Sequence, residues 1–314
     1  MKEEIIMIRT LEDVSRLAKE KGPKKLAVLA PEDSEFMLAV KESAEAGYIE
    51  PVLIGNRDKM NKVADEVEFR ITEVEKIYEE DRQTIANLGT AMLFSGDVDM
   101  SSKGQIPTSY IYRSIIREEA KLGTGRTISV ISLWEIPELK RLTSFTDTGV
   151  NIHPDYRAKA AVIKNAVFLF HVLGYARPRI SVLSGQREIG GELDSHKDGK
   201  LIKGAATAGE FGECELVDAT SFHDFIVGPG SRLSSCDDID ISDIPEILLV
   251  PSLDAGNILC KLDFFLDVHR RSLVMTSKGP ALIPSRSDFS NSIVGEIAMG
   301  VVVADMLRKG DALT

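Results

Sequence analysis

Cysteine is scarce and poorly placed for chemistry. The 314 residues hold three, Cys214, Cys236 and Cys260, an odd number with no CxxC pair, which argues against a disulfide framework or a zinc site and fits a reducing cytoplasm. Histidine is also sparse. His153, His171, His196, His223 and His269 form no HExxH or other close ligand pair, so they read as surface or packing residues and no metal is expected. Positive charge is in deficit: 38 Lys and Arg against 49 Asp and Glu leave a net charge of -11, which disfavours nucleic acid or an anionic membrane as the main partner. An anionic substrate would need local arginines to attract it. Long apolar runs are missing too, none approaching the roughly 18 residues of a membrane span. The opening MKEEIIMIRT carries acids and only a short apolar patch, so no secretory leader is expected.

The chain does contain an alternation. Short β-branched runs take turns with longer stretches of helical periodicity, the pattern of βαβ units and a parallel sheet. The first unit is complete by residue 54: a strand over Lys25–Ala30, a helix over 35–46 capped by Pro31-Glu-Asp-Ser34, and a strand over Pro51–Ile54. Helices are predicted over 10–21, 84–94, 110–121, 156–174, 258–270 and 293–307, and strands over 128–134, 179–183 and 245–250. A weak strand is expected near 69–71 and another over 96–100, the latter running into a loop over 101–108. A length of 314 residues and 43% hydrophobic content suit two domains or one large one with ample core.

Candidate chemistry gathers where strands end. Pro280-Ala-Leu-Ile-Pro-Ser-Arg-Ser-Asp288 closes an apolar run with a hydroxyl, a guanidinium and a carboxylate. Arg286 offers a fork for phosphate or carboxylate, Ser285 a donor to an oxygen gaining charge, and Asp288 an acceptor for a proton. Ser287 or Asp288 would equally serve as the cap of the next helix. In the loop 101–108, Lys103 and Gly104 form the tip, Thr108 suits an N-cap, and Arg113 lies about one turn in, within reach of an anion at that helix end. The competing reading leaves Lys103 and Arg113 as solvated basic side chains. Asp147 and Asn151 precede a helix that opens after Asp155, Ser184 ends another strand, and Gly228-Pro-Gly-Ser231 reads as a turn rather than a nucleotide loop.

These stretches carry a resemblance that covers nearly the whole chain. Asp99 to Thr108 matches D-x-x-x-K-G-x-x-x-T, Thr146 to Asn151 matches T-D-x-x-x-N, Val250-Pro251 with Gly256-Asn257 and Lys261 matches V-P-x-x-x-x-G-N-x-x-x-K, and Ser285-Arg286 with Asp288 matches S-R-x-D. In that order they resemble the phosphate acetyltransferase and butyryltransferase family, the butyryl branch more closely. The resemblance implies an α/β fold of two parallel-sheet domains with an interdomain cleft, similar to the isocitrate and isopropylmalate dehydrogenases. The first domain would be 1–143 with the returning helix 288–314, and the second 144–287. It implies transfer of a short-chain acyl group between coenzyme A and inorganic phosphate by direct ternary-complex chemistry. Coenzyme A is a substrate and no cofactor is expected. Ser285, Arg286 and Asp288 would be catalytic, Arg113, Lys103 and Arg286 would bind phosphate, and Thr108, Asp147, Asn151, Ser184, Asp224, Gly256 and Asn257 would line the substrate cleft. A cytoplasmic homo-oligomer, a dimer or a multiple of it, is expected.

Two departures from the pattern stand out. The acetyl branch carries an Asp seven residues past the serine, where this chain has Ser292, so Asp288 becomes the substitute base. The segment 217–224 retains only Asp224 of the butyryl pattern, and Gly228-Pro-Gly230 breaks the helix expected to follow. A non-catalytic coenzyme A-binding paralogue and an enzyme fed by acyl carrier protein are therefore the alternatives, the second disfavoured by the lack of a basic docking face.

Overall fold

The computed structural model describes residues 7–185, 193–227, 240–285 and 288–308. Two compact units emerge: an N-terminal unit of Leu11–Ile128 with Arg271–Thr314, and a central unit of Met1–Thr10 with Ser129–Arg270. In chain order the elements begin with α1 (Leu11–Lys21), β1 (Lys24–Leu29), α2 (Ser34–Glu45), β2 (Ile49–Gly55), α3 (Arg57–Glu66), β3 (Glu75–Tyr78), α4 (Arg82–Ser95), β4 (Met100–Lys103) and α5 (Thr108–Leu122). The central part follows with β5 (Ser129–Glu135), β6 (Leu142–Thr146), α6 (Tyr156–Val172), β7 (Arg179–Val182), α7 (Asp194–Thr207), β8 (Glu215–Leu216), α8 (Phe222–Val227), β9 (Ile247–Leu249) and α9 (Leu253–Cys260). Strands β10 (His269–Met275) and β11 (Pro280–Leu282) and helix α10 (Ser290–Arg308) complete the chain.

In the N-terminal unit the strand order is β3-β2-β1-β4-β11-β10, parallel except between β10 and β11. In the central unit it is β5-β6-β9-β7-β8, parallel except between β5 and β6. Strand pairing is consistent with the division at 128/129 and 270/271, which differs from the expected 143/144 and 287/288. Dividing at 143 would split β6 from the ladder that pairs Ser132 with Phe145, and dividing at 287 would separate β11 from Ser101 and Ser102 of β4. The expected helix over 258–270 gives way to α9, a short 3-10 turn over Lys261–Phe264, and β10. Ser252 starts that helix early, its hydroxyl accepting from Ala255 N at 3.4 Å. The weak strand near 69–71 lies instead at β3, which pairs with the edge of β2.

Capping follows the local chemistry. Asp33, Asn56, Asp81 and Asp155 each accept from a backbone N–H three residues on, at 2.8–3.1 Å, and left-handed Gly96 closes α4. Helix α10 corrects one sequence expectation: it is long and apolar enough, by length and composition, to cross a membrane, but 61% of that window is buried inside the protein. It packs against α1 and α2 and carries two buried acids: Asp305, paired with Lys24 Nζ at 2.8 Å, and Glu296, which accepts from Ser272 N at 3.1 Å. Charges of that kind mark a protein core rather than a lipid face.

In the central unit, Trp134 and Phe145 meet edge to face at 5.1 Å within a cluster that includes Leu183, Phe225, Leu248 and Val250. Tyr175, packed edge-on to Phe170, accepts from Leu142 N at 3.1 Å through its phenol oxygen. Burial pushes that phenol up to about 12, and the Glu246 carboxylate adds to the effect. A group raised in the folded state stabilises below its unfolded value and loses that contribution as pH climbs to the folded one, here between about 10 and 12. The unfolding free energy from denaturant titration is expected to fall by about 2–3 kcal/mol across that window for this group. Tyr175→Phe should show a correspondingly shallower fall between pH 9 and 11.5, and parallel slopes would remove the phenol from the account.

Candidate active site

The N-terminal sheet reverses its direction of winding between β1 and β4, and in α/β folds ligands bind beyond the carboxyl ends of strands at such a point. Lys103 is the last residue of β4 and is buried. β11 runs parallel to β4 with Leu282 beside Ser102, so the chain from Ile283 to Ser285 leaves β11 at the same carboxyl edge of the sheet. Lys103 thus ends β4, and Ser285 follows the end of the adjacent β11 by three residues. Asp288 Oδ2 accepts from Ser285 N at 2.7 Å, and Asp288 N donates to Ser285 O at 3.1 Å. Asp288 thus closes a tight turn around the serine, while α10 begins two residues later at Ser290, whose N–H donates to Glu35 at 2.7 Å. Arg286 and Ser287 lie outside the described residues.

Gly104 explains why the loop after β4 can lie so close to β1. Its N–H donates to Leu29 O at 2.7 Å, and a Cβ there would run into the Ala30 carbonyl and come within 2.8 Å of the Phe36 ring. Thr108 opens α5 rather than capping it: Pro107 occupies the cap position and supplies no side-chain bond. The first N–H groups of α5 therefore lack the side-chain acceptor that most caps provide. Arg113 is exposed, donating to Gln83 on α4 at 3.2 Å and lying 5.7 Å from the Tyr110 ring centre. Its place is on the outer face of α5, alongside α4. One charged cluster escaped the sequence reading. Glu32, just past β1, accepts from both Arg82 terminal nitrogens at 2.8 and 2.6 Å and faces Lys59 at 3.4 Å. Burial alone would raise the Glu32 carboxyl, but the Arg82 guanidinium outweighs it and holds it below the usual carboxylate range. The acids of Pro31-Glu-Asp-Ser34 were legible in the sequence, but the arginine that meets them is 50 residues away.

In the central unit Asp147 and Ser184 again follow the carboxyl ends of strands, while Asp224, Gly256 and Asn257 lie in helices. Asp147 follows β6, and its buried carboxylate collects donors from Val130 N (2.9 Å), Gly149 N (3.0 Å), Val150 N (3.2 Å), Asn151 N (2.8 Å) and Asn151 Nδ2 (2.6 Å). In this structure it organises the loop over 147–151, and Asn151 is held by it. Ser184 follows β7, its hydroxyl 2.7 Å from that of Ser195, its N–H bonded to Thr220 O. Asp224 sits in α8, its N–H donating to the Ser221 hydroxyl at 3.2 Å. Gly256 lets α9 approach the loop after β6: a Cβ would stand 2.8 Å from Asp147 O. Asn257 beside it is exposed. Cys260 is buried, and burial pushes its thiol up, which leaves it protonated and a poor nucleophile. Asp147→Ala would strand several buried N–H groups at once and should cost at least about 3 kcal/mol in chemical denaturation, whereas Asp147→Asn should recover part of that loss. A loss below about 1 kcal/mol would show that the loop holds itself.

The arrangement has relatives. A family model described as "Phosphate acetyl/butaryl transferase" matches residues 75–301. The phosphate butyryltransferase of Clostridium acetobutylicum is 23% identical over 299 residues, 95% of this chain and 99% of that protein. The phosphate acetyltransferase of Thermotoga maritima is 26% identical over 297 residues, 94% of this chain and 99% of its own. Among solved structures, a phosphotransacetylase from Streptococcus pyogenes superposes with a TM-score of 0.74 at 16% identity, covering 96% of this chain and 99% of that one. With the model spanning well over half of its length, this chain belongs to the phosphate acetyltransferase and butyryltransferase family.

Proposed function

We propose that the protein is a phosphate acyltransferase that interconverts a short-chain acyl-CoA and phosphate with acyl phosphate and coenzyme A. The observation that carries this reading is that the segments bearing Lys103 and Ser285 leave the carboxyl ends of the adjacent parallel strands β4 and β11, with Asp288 bonded back to the serine. A phosphate oxygen attacks the thioester carbonyl, the tetrahedral oxyanion collapses, the C–S bond breaks and the thiolate departs; the reverse direction begins with thiolate attack. No covalent enzyme intermediate or cofactor is needed when both substrates are held in line. Lys103 and Arg286 bind phosphate, with Arg113 at the rim and the uncapped start of α5 beyond Thr108 favouring the anion. The Ser285 hydroxyl donates to the oxyanion, a contact worth on the order of 3 kcal/mol of barrier. Asp288 accepts the Ser285 N–H with one oxygen and serves as base near the thiol with the other. The loops bearing Asp147, Asn151, Ser184, Asp224, Gly256 and Asn257 shape the coenzyme A and acyl sites. We place the enzyme in the cytoplasm, as a homo-oligomer without a membrane or nucleic-acid partner.

The test is an acyl-CoA panel assayed for free thiol. Thiol release is expected for a short-chain acyl-CoA only when phosphate or arsenate is present; binding of coenzyme A with no turnover across the panel would establish a non-catalytic paralogue. Asp288→Asn separates the two uses of that carboxylate, because an amide oxygen still accepts the Ser285 N–H but cannot take a proton. Turnover is expected to drop roughly 100- to 10,000-fold with coenzyme A affinity nearly unchanged. A near-normal rate in Asp288→Asn, with the loss appearing only in Asp288→Ala, would confine Asp288 to holding the serine.

A further inference from the structure

Two loops of the N-terminal unit carry candidate chemistry, one after β4 with Lys103 and Gly104 and one after β11 with Ser285 and Asp288, and both are bonded to the first turn of α2. Ala30, fully buried, takes the chain out of β1 at φ 49°, a left-handed conformation that a residue with a Cβ holds only where its surroundings impose it. Helix α2 follows at Ser34. Asp33 caps it through Oδ1, which accepts from Phe36 N at 2.9 Å, while its Oδ2 accepts from Gln105 Nε2 at 2.9 Å. The backbone of Gln105 is held as well, its N–H donating to Ala30 O at 2.9 Å. Glu35, one residue into α2, accepts through Oε2 from Ser290 N at 2.7 Å. That N–H belongs to the first turn of α10, where the helix itself offers no acceptor and a carboxylate meets the positive end of the dipole.

We infer that the first turn of α2 is a clamp that sets both loops, with Asp33 and Glu35 as positioning residues that act through Gln105 and Ser290 rather than on the reacting atoms. The inference rests on the acyltransferase reading for what each loop does, Lys103 holding phosphate and Ser285 meeting the oxyanion. Two carboxylates of one turn reach two separate segments, and hydrogen bonds to an ionised acceptor are the stronger kind. The Glu35 contact also bears on how Asp288 is used. Asp288 stands two residues before α10, where an acid ordinarily caps the helix, yet its Oδ2 accepts from Ser285 N at 2.7 Å. A carboxylate supplied from α2 takes over part of the capping and leaves Asp288 to the serine. Without Glu35, Asp288 is drawn to the bare N–H groups of α10 and away from Ser285. Without the Gln105 bond, the loop that follows Lys103 loses its side-chain tether while the serine turn keeps its own.

Amide hydrogen exchange and thiol-release kinetics on the full chain test the clamp. Gln105→Leu removes the tether but keeps the Asp33 cap, and Glu35→Ala removes the acceptor at α10. Exchange over 103–108 is expected to quicken about 10-fold in the first variant and exchange over 288–293 about 10-fold in the second, each segment staying as in wild type in the other variant. In kinetics, Gln105→Leu should raise KM for phosphate about 10-fold at nearly constant kcat, whereas Glu35→Ala should lower kcat about 10-fold at nearly constant KM, a split that general loss of stability does not produce. Glu35→Gln keeps an acceptor oxygen and should return most of kcat. Asp33→Asn combined with Gln105→Glu reverses the direction of the hydrogen bond, and should recover the phosphate KM that Gln105→Glu alone, with two carboxylates face to face, loses. Unchanged exchange in either single variant overturns the inference, as does a parallel fall in kcat and rise in KM in both. A protein that shows both exchange changes but releases no thiol from any acyl-CoA retains the clamp and refutes the acyltransferase reading instead.

Discussion

The parallel ladder that joins β4 to β1 on one side and to β11 on the other is the constraint on which the N-terminal unit and its site depend. β4 is Met100-Ser-Ser-Lys103, buried along its whole length, and three of its four residues have little preference for a strand. What holds it is backbone pairing, Leu26 to Leu29 of β1 against Met100 to Lys103, and Ala281 and Leu282 of β11 against Ser101 and Ser102. Every buried backbone N–H and C=O must find a partner, and in the middle of a sheet the neighbouring strands supply it. The consequence is chemical. A lysine leaves β4 and a serine follows β11 at the same carboxyl edge of the sheet, with Gly104 allowing the loop to turn within contact of Ala30 and Phe36.

The central unit uses the same edge differently. Its loop after β6 is ordered by one carboxylate, Asp147, that satisfies backbone N–H groups on both β5 and the loop. The Ser132 and Thr148 hydroxyls are 2.8 Å apart beneath that loop. Charged groups at the opposite, amino ends of the strands are similarly committed: Glu246 accepts from Arg141 Nε at 2.8 Å and from Arg179 N at 2.7 Å, tying the starts of β6, β7 and β9. Lys159 and Asp198 form a buried ion pair between α6 and α7. Removing one partner of such a pair is far costlier than never having had it, because the other is left as an uncompensated buried charge.

Much of this was readable from local sequence. The alternation of strands and helices, the Asp33 and Asp155 caps, the Gly96 stop and the positions of Lys103, Asp147, Ser184 and Ser285 at strand ends all rest on interactions spanning a few residues, so a short window contains the information. The boundaries that moved were those set by distant partners. β4 lay inside a predicted loop because Ser and Lys do not announce a strand, and β3 was displaced because its edge pairing with β2 decides it. Helix α10 looked too short to span a membrane in sequence, and the fold shows a longer, mostly buried helix whose acids are bonded to Lys24 and to Ser272 N.

The site divides along the same line. The types of residue, a lysine-glycine tip, a serine followed by arginine, and an acid three residues after that serine, were determined by sequence alone, because each is a matter of chemistry and spacing. What only the tertiary structure decided is how those groups are used. Asp288 accepts the Ser285 N–H instead of capping α10, Asp147 spends its carboxylate on five donors, Arg113 donates to Gln83, and Glu32 is matched by an arginine from another helix. Hydrogen bonds over 2.6–3.2 Å depend on backbone paths set by strand order and register, and strand order is fixed by pairings between residues that can lie more than 170 positions apart, as Ala281 and Ser101 do.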